Sequence, residues 1–255
     1  MSKEKSTTAI RANRIFDGQH WHADSAVLVS DERISGIYRV TEIPAGAEVT
    51  GPVDLLAPGF IDVQVNGGGG ALFNASPTPD CLRTIVAGHR ATGTTGMMPT
   101  VVSDDREIAE AAVDAVRTLQ AEGEPSVLGI HMEGPYLAPE KRGVHAESKL
   151  RALDEDDLSW LISLTDLRVL LTVAPEIVSA EQIARLAQAG IIVSGGHSQA
   201  SFETTRGAID AGLTGFTHLF NAMPAVSARE PGIVSAALTD RATWAGIIAD
   251  GHHVH

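Results

Sequence analysis

The sequence has a single cysteine, Cys81, which excludes an intramolecular disulfide and fits a reducing compartment, the cytoplasm by default. It is also short of bases. Nineteen lysines and arginines stand against 32 acids, for a formal charge of −13. Nucleic acid and anionic membranes need a basic face, so neither is expected as a partner. A small phosphorylated ligand remains open, because a few local donors can hold one. No apolar run approaches the roughly 20 residues that span a bilayer, and the polar residues 1–8 carry no apolar leader core. The glycine-rich run at 67–70 lacks the following helix and later acid of a dinucleotide fingerprint.

What is present is a chain of 255 residues, 44% apolar and 20% charged, long enough to bury a sizeable core. Residues 1–56 read as a small β-domain. Ala9–Ala12, Ala26–Val29 and Arg33–Tyr38 have strand character, and Asp17-Gly18 and Pro44-Ala45-Gly46 break the pattern. From residue 57 onward, apolar runs at 60–65, 96–102, 127–131, 168–173, 191–194, 215–220 and 244–249 read as strands. Helical stretches separate them at roughly 78–91, 104–122, 154–164, 179–189, 201–211 and 232–239. Ser103 to Asp105, Ser179 and Ser198 to Ser201 look like helix starts. Strands that are apolar along their whole length, each followed by a helix, predict a parallel sheet buried on both faces. Seven in succession predict a barrel, one strand short of the usual (β/α)8 count.

Active-site groups of such barrels lie at the carboxyl ends of the strands. Glu133, His197, His218 and His252 meet that test. One carboxylate and two imidazoles at three strand ends predict a divalent metal centre, with zinc or iron suited to the donor set. His131 shares the face of Glu133 and reads either as a partner of the ligands or as a packed core histidine. Gln64 and Asn66 alternate along the first barrel strand and point the same way. The four glycines at 67–70 permit close backbone approach to a ligand, or make a flexible loop. Lys141 to His145 could orient an anionic or carbonyl group, or be a solvated loop. The amides around Asn221 face the same mouth as His218. Arg229 could form a phosphate fork or lie on the surface. Trp160, Trp244, Met97 and Met98 are expected in the core, and Cys81 in a buried helix position.

Five motifs resemble one family. They are Pro58–Gly70 (PGFIDVQVNGGGG), His131–Pro135 (HMEGP), Gly196-His197-Ser198, Thr217–Met223 (THLFNAM) and Ala249–His253 (ADGHH). In this order and spacing they are similar to the N-acetylglucosamine-6-phosphate deacetylases of the amidohydrolase superfamily. The resemblance implies a (β/α)8 TIM-type barrel of the amidohydrolase type, incomplete at about seven strands, with a small N-terminal β-domain. It implies hydrolysis of N-acetyl-D-glucosamine 6-phosphate to glucosamine 6-phosphate and acetate, in amino-sugar catabolism. Glu133, His197 and His218 would hold one metal ion, and His145 would polarise the acetamide carbonyl. Val144, His145, Asn221, Ala222, Arg229 and His252 would bind substrate, with the arginine reaching across a homodimer interface. Gln64 and Asn66 stand where many amidohydrolases carry a His-x-His pair, which favours one metal over two. The family's catalytic aspartate follows an eighth strand, and no position in these residues matches it. The resemblance therefore also implies a chain lacking its last third. Alternatives are an N-acetylgalactosamine-6-phosphate deacetylase or another amidohydrolase, or a non-catalytic sugar-phosphate-binding fragment.

Overall fold

The computed structural model describes residues 7–255, so most of the polar stretch 1–8 lies outside the described residues. The chain divides into two compact units, one ending at Gly59 and the other running Phe60–His255.

The first unit is a four-stranded sheet of β1 (Thr7–Phe16), β2 (Trp21–Ser30), β3 (Arg33–Arg39) and β4 (Glu48–Leu56), in the order β3-β2-β1-β4. Strands β1 to β3 form an antiparallel meander, and β4 runs parallel to β1 at the edge. Ala9, Ala26 and Leu28 form one buried cluster, and Ala12, Ile15 and Val27 form a second. The turn after β1 is closed by the Asp17 carboxylate, which accepts from the amides of Gln19 and His20 at 2.8 and 2.7 Å. Strand β4 has no counterpart in the sequence reading, because Gly51-Pro52 interrupts its pattern. Proline is tolerated there because an edge strand can do without one ladder donor.

The second unit is a seven-stranded parallel sheet in chain order. Its first strand is β5 (Phe60–Val65), followed by a short hairpin of β6 (Gly67–Gly68) and β7 (Ala71–Leu72). Then come α1 (Pro79–Arg90), β8 (Thr94–Val102), α2 (Arg106–Ala121), β9 (Ile130–Glu133), α3 (Glu155–Ser163) and β10 (Val169–Val173). The rest is α4 (Ala180–Gln188), β11 (Ile192–Gly195), α5 (Phe202–Asp210), β12 (Leu213–Phe216), α6 (Gly232–Thr239) and β13 (Trp244–Ala245). The sheet order β13-β12-β11-β10-β9-β8-β5 leaves β5 and β13 as unpaired edges, so this is an open half-barrel. The seven strands and six intervening helices follow the order of the sequence reading, with the sixth strand at Leu213–Phe216 rather than 215–220 and the seventh limited to Trp244–Ala245 rather than 244–249. The core lies between the sheet and the apolar faces of the helices, such as Leu82 and Ile85 of α1, Val113 and Leu119 of α2, and Ile183 and Leu186 of α4. Helix α4 begins with a capping box in which Ser179 and Gln182 serve each other's backbone amides.

Several local details differ from expectation, and Cys81 on α1 is only partly buried. The third strand is Ile130–Glu133 rather than 127–131, since Val127 makes only an isolated bridge to Met97. Met97 and Met98 are buried, but Trp244 is 38% exposed, because its strand is the sheet edge and no neighbour covers it. Two of the glycines at 67–70, Gly68 and Gly69, pack closely against α1. His89 Nε2 donates to the Gly67 carbonyl at 2.9 Å, and a Cβ on Gly68 would meet that ring at 2.6 Å.

The long segment after β9 is pinned by one carboxylate. Asp157 accepts from Arg106 Nη1 and Arg151 Nε, each at 2.9 Å, and its side chain is buried. Burial alone would raise its pKa. The bonds from Arg151, Tyr136 and Arg106 outweigh that and hold the carboxyl below its usual range. A depressed carboxylate stabilises the fold above its unfolded pKa and stops doing so as pH falls through the folded value. We expect Asp157→Asn to cost on the order of 2 kcal/mol at neutral pH. Denaturant unfolding should show parent and variant converging as pH falls below about 4. Curves that stay parallel would contradict this assignment.

Candidate metal centre

Three strand ends deliver three donor atoms to one point. Glu133 is the last residue of β9, and His197 and His218 follow β11 and β12 by two residues each. His197 Nε2 lies 3.1 Å from Glu133 Oε1, His218 Nε2 lies 3.0 Å from the same oxygen, and the two imidazole nitrogens are 3.0 Å apart. All three side chains are buried. Parallel pairing in register makes this possible across sequence gaps of 64 and 21 residues. Both histidines occupy the left-handed region, with φ of 47° and 33°. There the chain leaves the strand and turns the ring back over the sheet end. Non-glycine residues hold that conformation only when their surroundings impose it.

The electrostatics call for a cation. His197 Nδ1 donates to the Lys141 carbonyl at 2.8 Å, so in the neutral ring Nε2 presents a lone pair. That lone pair faces a carboxylate oxygen, which can only accept. A second imidazole nitrogen completes the triangle. A positive centre shared by all three resolves this confrontation, and donors of this type sit about 2.0–2.2 Å from a zinc-sized ion. These atoms are also the one group of three or more potential ligand atoms found mutually within 4.8 Å among the described residues. Burial works against an ionised Glu133, and a shared cation would offset it. Gln64 adds a third contact, its Nε2 donating to Glu133 Oε1 at 2.7 Å.

His145 stands beside the triangle as a donor. The Ser103 backbone N–H donates to its Nδ1 at 3.2 Å, so Nε2 carries the ring proton. That nitrogen is buried without a hydrogen-bond partner, 3.7 Å from Glu133 Oε2. Burial lowers the His145 pKa to about 4, against the pull of Glu133, so the ring is a neutral donor near pH 7. His131 is buried as well. Its Nδ1 donates to the Val63 carbonyl at 2.9 Å and its Nε2 lies 2.7 Å from Thr172 Oγ1. Burial likewise brings its pKa to about 4, although Glu133 pulls the other way.

The remaining sequence candidates lie further out. Asn221 and Ala222 form the turn after His218, where the Asn221 amide donates to the His218 carbonyl at 3.0 Å. The Ala222 carbonyl accepts from the Ser198 amide at 3.1 Å, tying that turn to the one carrying His197. Val144 is 90% exposed, and Arg229 and His252 are also exposed. Among the described residues, no hydrogen bond or ion pair joins these three to the triangle. A cavity of about 790 Å³ opens on the concave side of the sheet, lined by Gln64, Asn66, His131, Thr217, His218 and Asp250 among others. Gln64 and Asn66 do face it together. The Asp250 carboxylate is engaged by the amides of His252 and His253, at 2.9 Å each.

Two positions escaped sequence reasoning for different reasons. Ser103 reads as a helix start, yet α2 is preceded by Asp105 without a side-chain cap, and Ser103 faces His145 instead. The Lys141 carbonyl gives no signal, because every residue has one.

No family model matches the chain. A curated relative from Shewanella sp. (strain ANA-3), named N-acetylgalactosamine-6-phosphate deacetylase, is 52% identical over 202 residues, or 78% of this chain and 51% of that protein. The crystal structure of N-acetylglucosamine-6-phosphate deacetylase from Pasteurella multocida matches with a TM-score of 0.90 at 33% identity, over 97% of this chain and 66% of that one. A mutant N-acetyl-D-glucosamine-6-phosphate deacetylase from Mycobacterium smegmatis, solved with N-acetyl-D-glucosamine 6-phosphate bound, matches with a TM-score of 0.88 at 32% identity, over 98% and 65%. The chain thus spans about half the length of that curated relative and about two thirds of the two solved chains.

A cation shared by the three donors should stabilise the fold by mass action, by about 2.7 kcal/mol at a hundred times its Kd. We expect chelator-treated protein to gain thermal stability on addition of zinc or ferrous ion. Glu133→Gln and His197→Ala should lose most of the gain. Equal gains in parent and both variants would place the ion elsewhere.

Proposed function

The chain belongs to the family of N-acetylglucosamine-6-phosphate and N-acetylgalactosamine-6-phosphate deacetylases, and on that premise we propose that it carries the metal- and substrate-binding part of such an enzyme. The reaction would be hydrolysis of the acetamide of an N-acetylated amino-sugar 6-phosphate, N-acetyl-D-glucosamine 6-phosphate in the first instance, releasing acetate and the free amine. The observation that carries the reading is the triangle of Glu133, His197 and His218 beside the unpartnered Nε2–H of His145.

Glu133, His197 and His218 would hold one divalent ion, zinc or iron by the chemistry of the donor set. Such an ion supplies Lewis acidity and lowers the pKa of a water at neutral pH. The residues of the chain do the rest. His145 donates from Nε2 to the acetamide oxygen and stabilises the charge that builds there as the carbonyl carbon becomes tetrahedral. The site is buried and low in dielectric, so that one hydrogen bond counts for more than it would in water. Arg229, His252 and the backbone around Val144, Asn221 and Ala222 would hold the sugar and its phosphate. The exposure of Arg229 suits an arginine that completes the site of a second copy, so a homodimer is part of the proposal. The single cysteine fits a cytoplasmic enzyme. Among the described residues, no helix is long and apolar enough to cross a membrane.

Proton transfer to the leaving amine requires a further group. Glu133 is committed to the histidines, and Asp250 is committed to the backbone of 252 and 253. By the resemblance to the family, the general base would be an aspartate that follows an eighth strand, and no position in these residues matches it. The polypeptide ending at His255 should bind metal yet release acetate slower by about 10²–10⁴-fold than a protein of the relatives' length. Near-equal turnover would contradict this assignment. Acetate release from the glucosamine and galactosamine epimers should be compared on the longer protein, and silence with both would refute the deacetylase reading. In that same protein, His145→Ala should lower kcat by about 10²–10³-fold, as loss of one oxyanion donor does. Metal content should stay at the parent level, and a fall in metal content would reassign His145 to ion binding.

A further inference from the structure

Strand β10 lies between β9 and β11, yet it contributes no donor to the triangle. We propose that it acts through Thr172. A one-way chain of buried hydroxyls, Ser194 to Thr217 to Thr172 to His131, fixes the three donor residues in place before any ion binds. Thr172 and Thr217 are then positioning residues of the metal centre. The inference rests on the metal reading given above.

The chain is continuous and buried. Ser194 Oγ lies 2.7 Å from Thr217 Oγ1, Thr217 Oγ1 lies 2.7 Å from Thr172 Oγ1, and Thr172 Oγ1 lies 2.7 Å from His131 Nε2. All four residues are buried, none more than 4% exposed. One carbonyl sets its direction. The Val63 oxygen can only accept, so His131 Nδ1 carries the ring proton and His131 Nε2 takes the hydroxyl proton of Thr172. Thr172 oxygen is then free to accept from Thr217, and Thr217 from Ser194. Thr100 fits the same polarity. Its hydroxyl donates to the Met98 carbonyl at 3.1 Å, which leaves its oxygen to the Val65 amide and, at 3.3 Å, to His131 Nδ1.

Three of the four members adjoin a donor residue. His131 precedes Glu133 by two positions on the same strand face. Thr217 directly precedes His218. Thr172 is the register partner of both Glu133 on β9 and Ser194 on β11. Its methyl group closes the other side of the site. A Cβ on Gly196 would stand 2.8 Å from Thr172 Cγ2 and 3.2 Å from Thr217 Cβ, so these two side chains wall in the residue that leads into His197.

The physical need is plain from the backbone. His197 and His218 sit at positive φ, and relaxation would swing both rings off the triangle. Apolar packing could fill the same volume, but it would not set rotation or register. Hydroxyl bonds are directional, and breaking one in a buried site leaves a donor or acceptor unpaired. A metal site tolerates only a few tenths of an ångström at its ligands, which directional bonds between strands can enforce.

The test compares Thr172→Val, Thr217→Val and Thr172→Ser with the parent protein. Valine keeps the shape and removes the hydroxyl, whereas serine keeps the hydroxyl. The readouts are the zinc dissociation constant by chelator competition, the absorption spectrum of the cobalt-substituted site, and the melting temperature of the metal-free protein. We expect the valine variants to bind zinc about tenfold more weakly, the lower end for partners of metal ligands. Their cobalt bands should shift, and Thr172→Ser should recover both properties. Valine variants that bind as tightly as the parent with an unchanged spectrum would overturn the proposal. A serine variant as weak as the valine one would also overturn it, since packing alone would then be at work. If Thr172→Val does not fold, Ser194→Ala removes the terminal donor with little change in shape, and parent-like binding and spectrum there count against the chain. A parent that binds no ion defeats the metal reading itself, whereas tight parent binding with tolerant variants defeats only the role of the hydroxyls.

Discussion

The Glu133 carboxylate lies almost out of reach of water, and much of the surrounding structure is arranged to make that tolerable. An isolated buried carboxylate would be too costly to keep ionised and would take up a proton. Here Gln64 Nε2 donates to one of its oxygens at 2.7 Å, and the turns after β11 and β12 bring two imidazole nitrogens to within 3.1 Å of the same oxygen, so a cation shared at that point completes its neutralisation. No local segment could do this. The nitrogens come from residues far apart in sequence and meet only because parallel strands end side by side. The sheet register is thus set by an electrostatic demand as well as by the aliphatic core behind it.

That arrangement carries a conformational cost. His197, His218, Phe220 and Ala222 all have positive φ, a state worth on the order of 1–3 kcal/mol each for non-glycine residues. All four lie in the two turns after β11 and β12. Those turns are braced against each other and against the next loop. The Ser198 amide donates to the Ala222 carbonyl at 3.1 Å, and the Ser198 hydroxyl donates to Glu176 at 2.7 Å. Glu176 also accepts from the Gln199 amide, which holds the chain just past His197. Strain concentrated beside a buried charge, with the rest of the sheet unstrained, is the pattern of a site organised before its ligand arrives.

How much of this was legible in sequence depends on the range of the interaction. The alternation of apolar runs with helices was readable because each element signals itself locally, as the Ser179–Gln182 box does for α4. Strand ends located Glu133, His197 and His218, since a polar residue closing an apolar run stands out. Strand β4 was hidden by Gly51-Pro52, and Trp244 misled because hydropathy does not say whether a strand has a neighbour. Ser103 shows a deeper limit. A serine before a helix has a common local use, and its actual contact is with a histidine 42 residues away. The hydroxyl line through Thr172 is equally silent in sequence, because threonine in a strand needs no special reason.

Gln64 sharpens the question of how many ions the site would take. A carboxylate oxygen can only accept, so the face that Gln64 turns to Glu133 at 2.7 Å must be its amide nitrogen. An amide in that orientation offers no lone pair toward Glu133. It supplies part of the positive potential that a second cation would otherwise bring to the carboxylate, without full charge and without open coordination positions. Asn66, two residues on and facing the same cavity, is a weak ligand for a borderline metal as well. The three donors therefore define one ion position, flanked by hydrogen-bond donors at Gln64 and at His145 Nε2. A neutral carbonyl oxygen that gains charge during reaction is matched by this edge. An incoming carboxylate or phosphate would meet the charge of Glu133 behind it. The triangle is thus better suited to an amide than to the anionic end of a substrate.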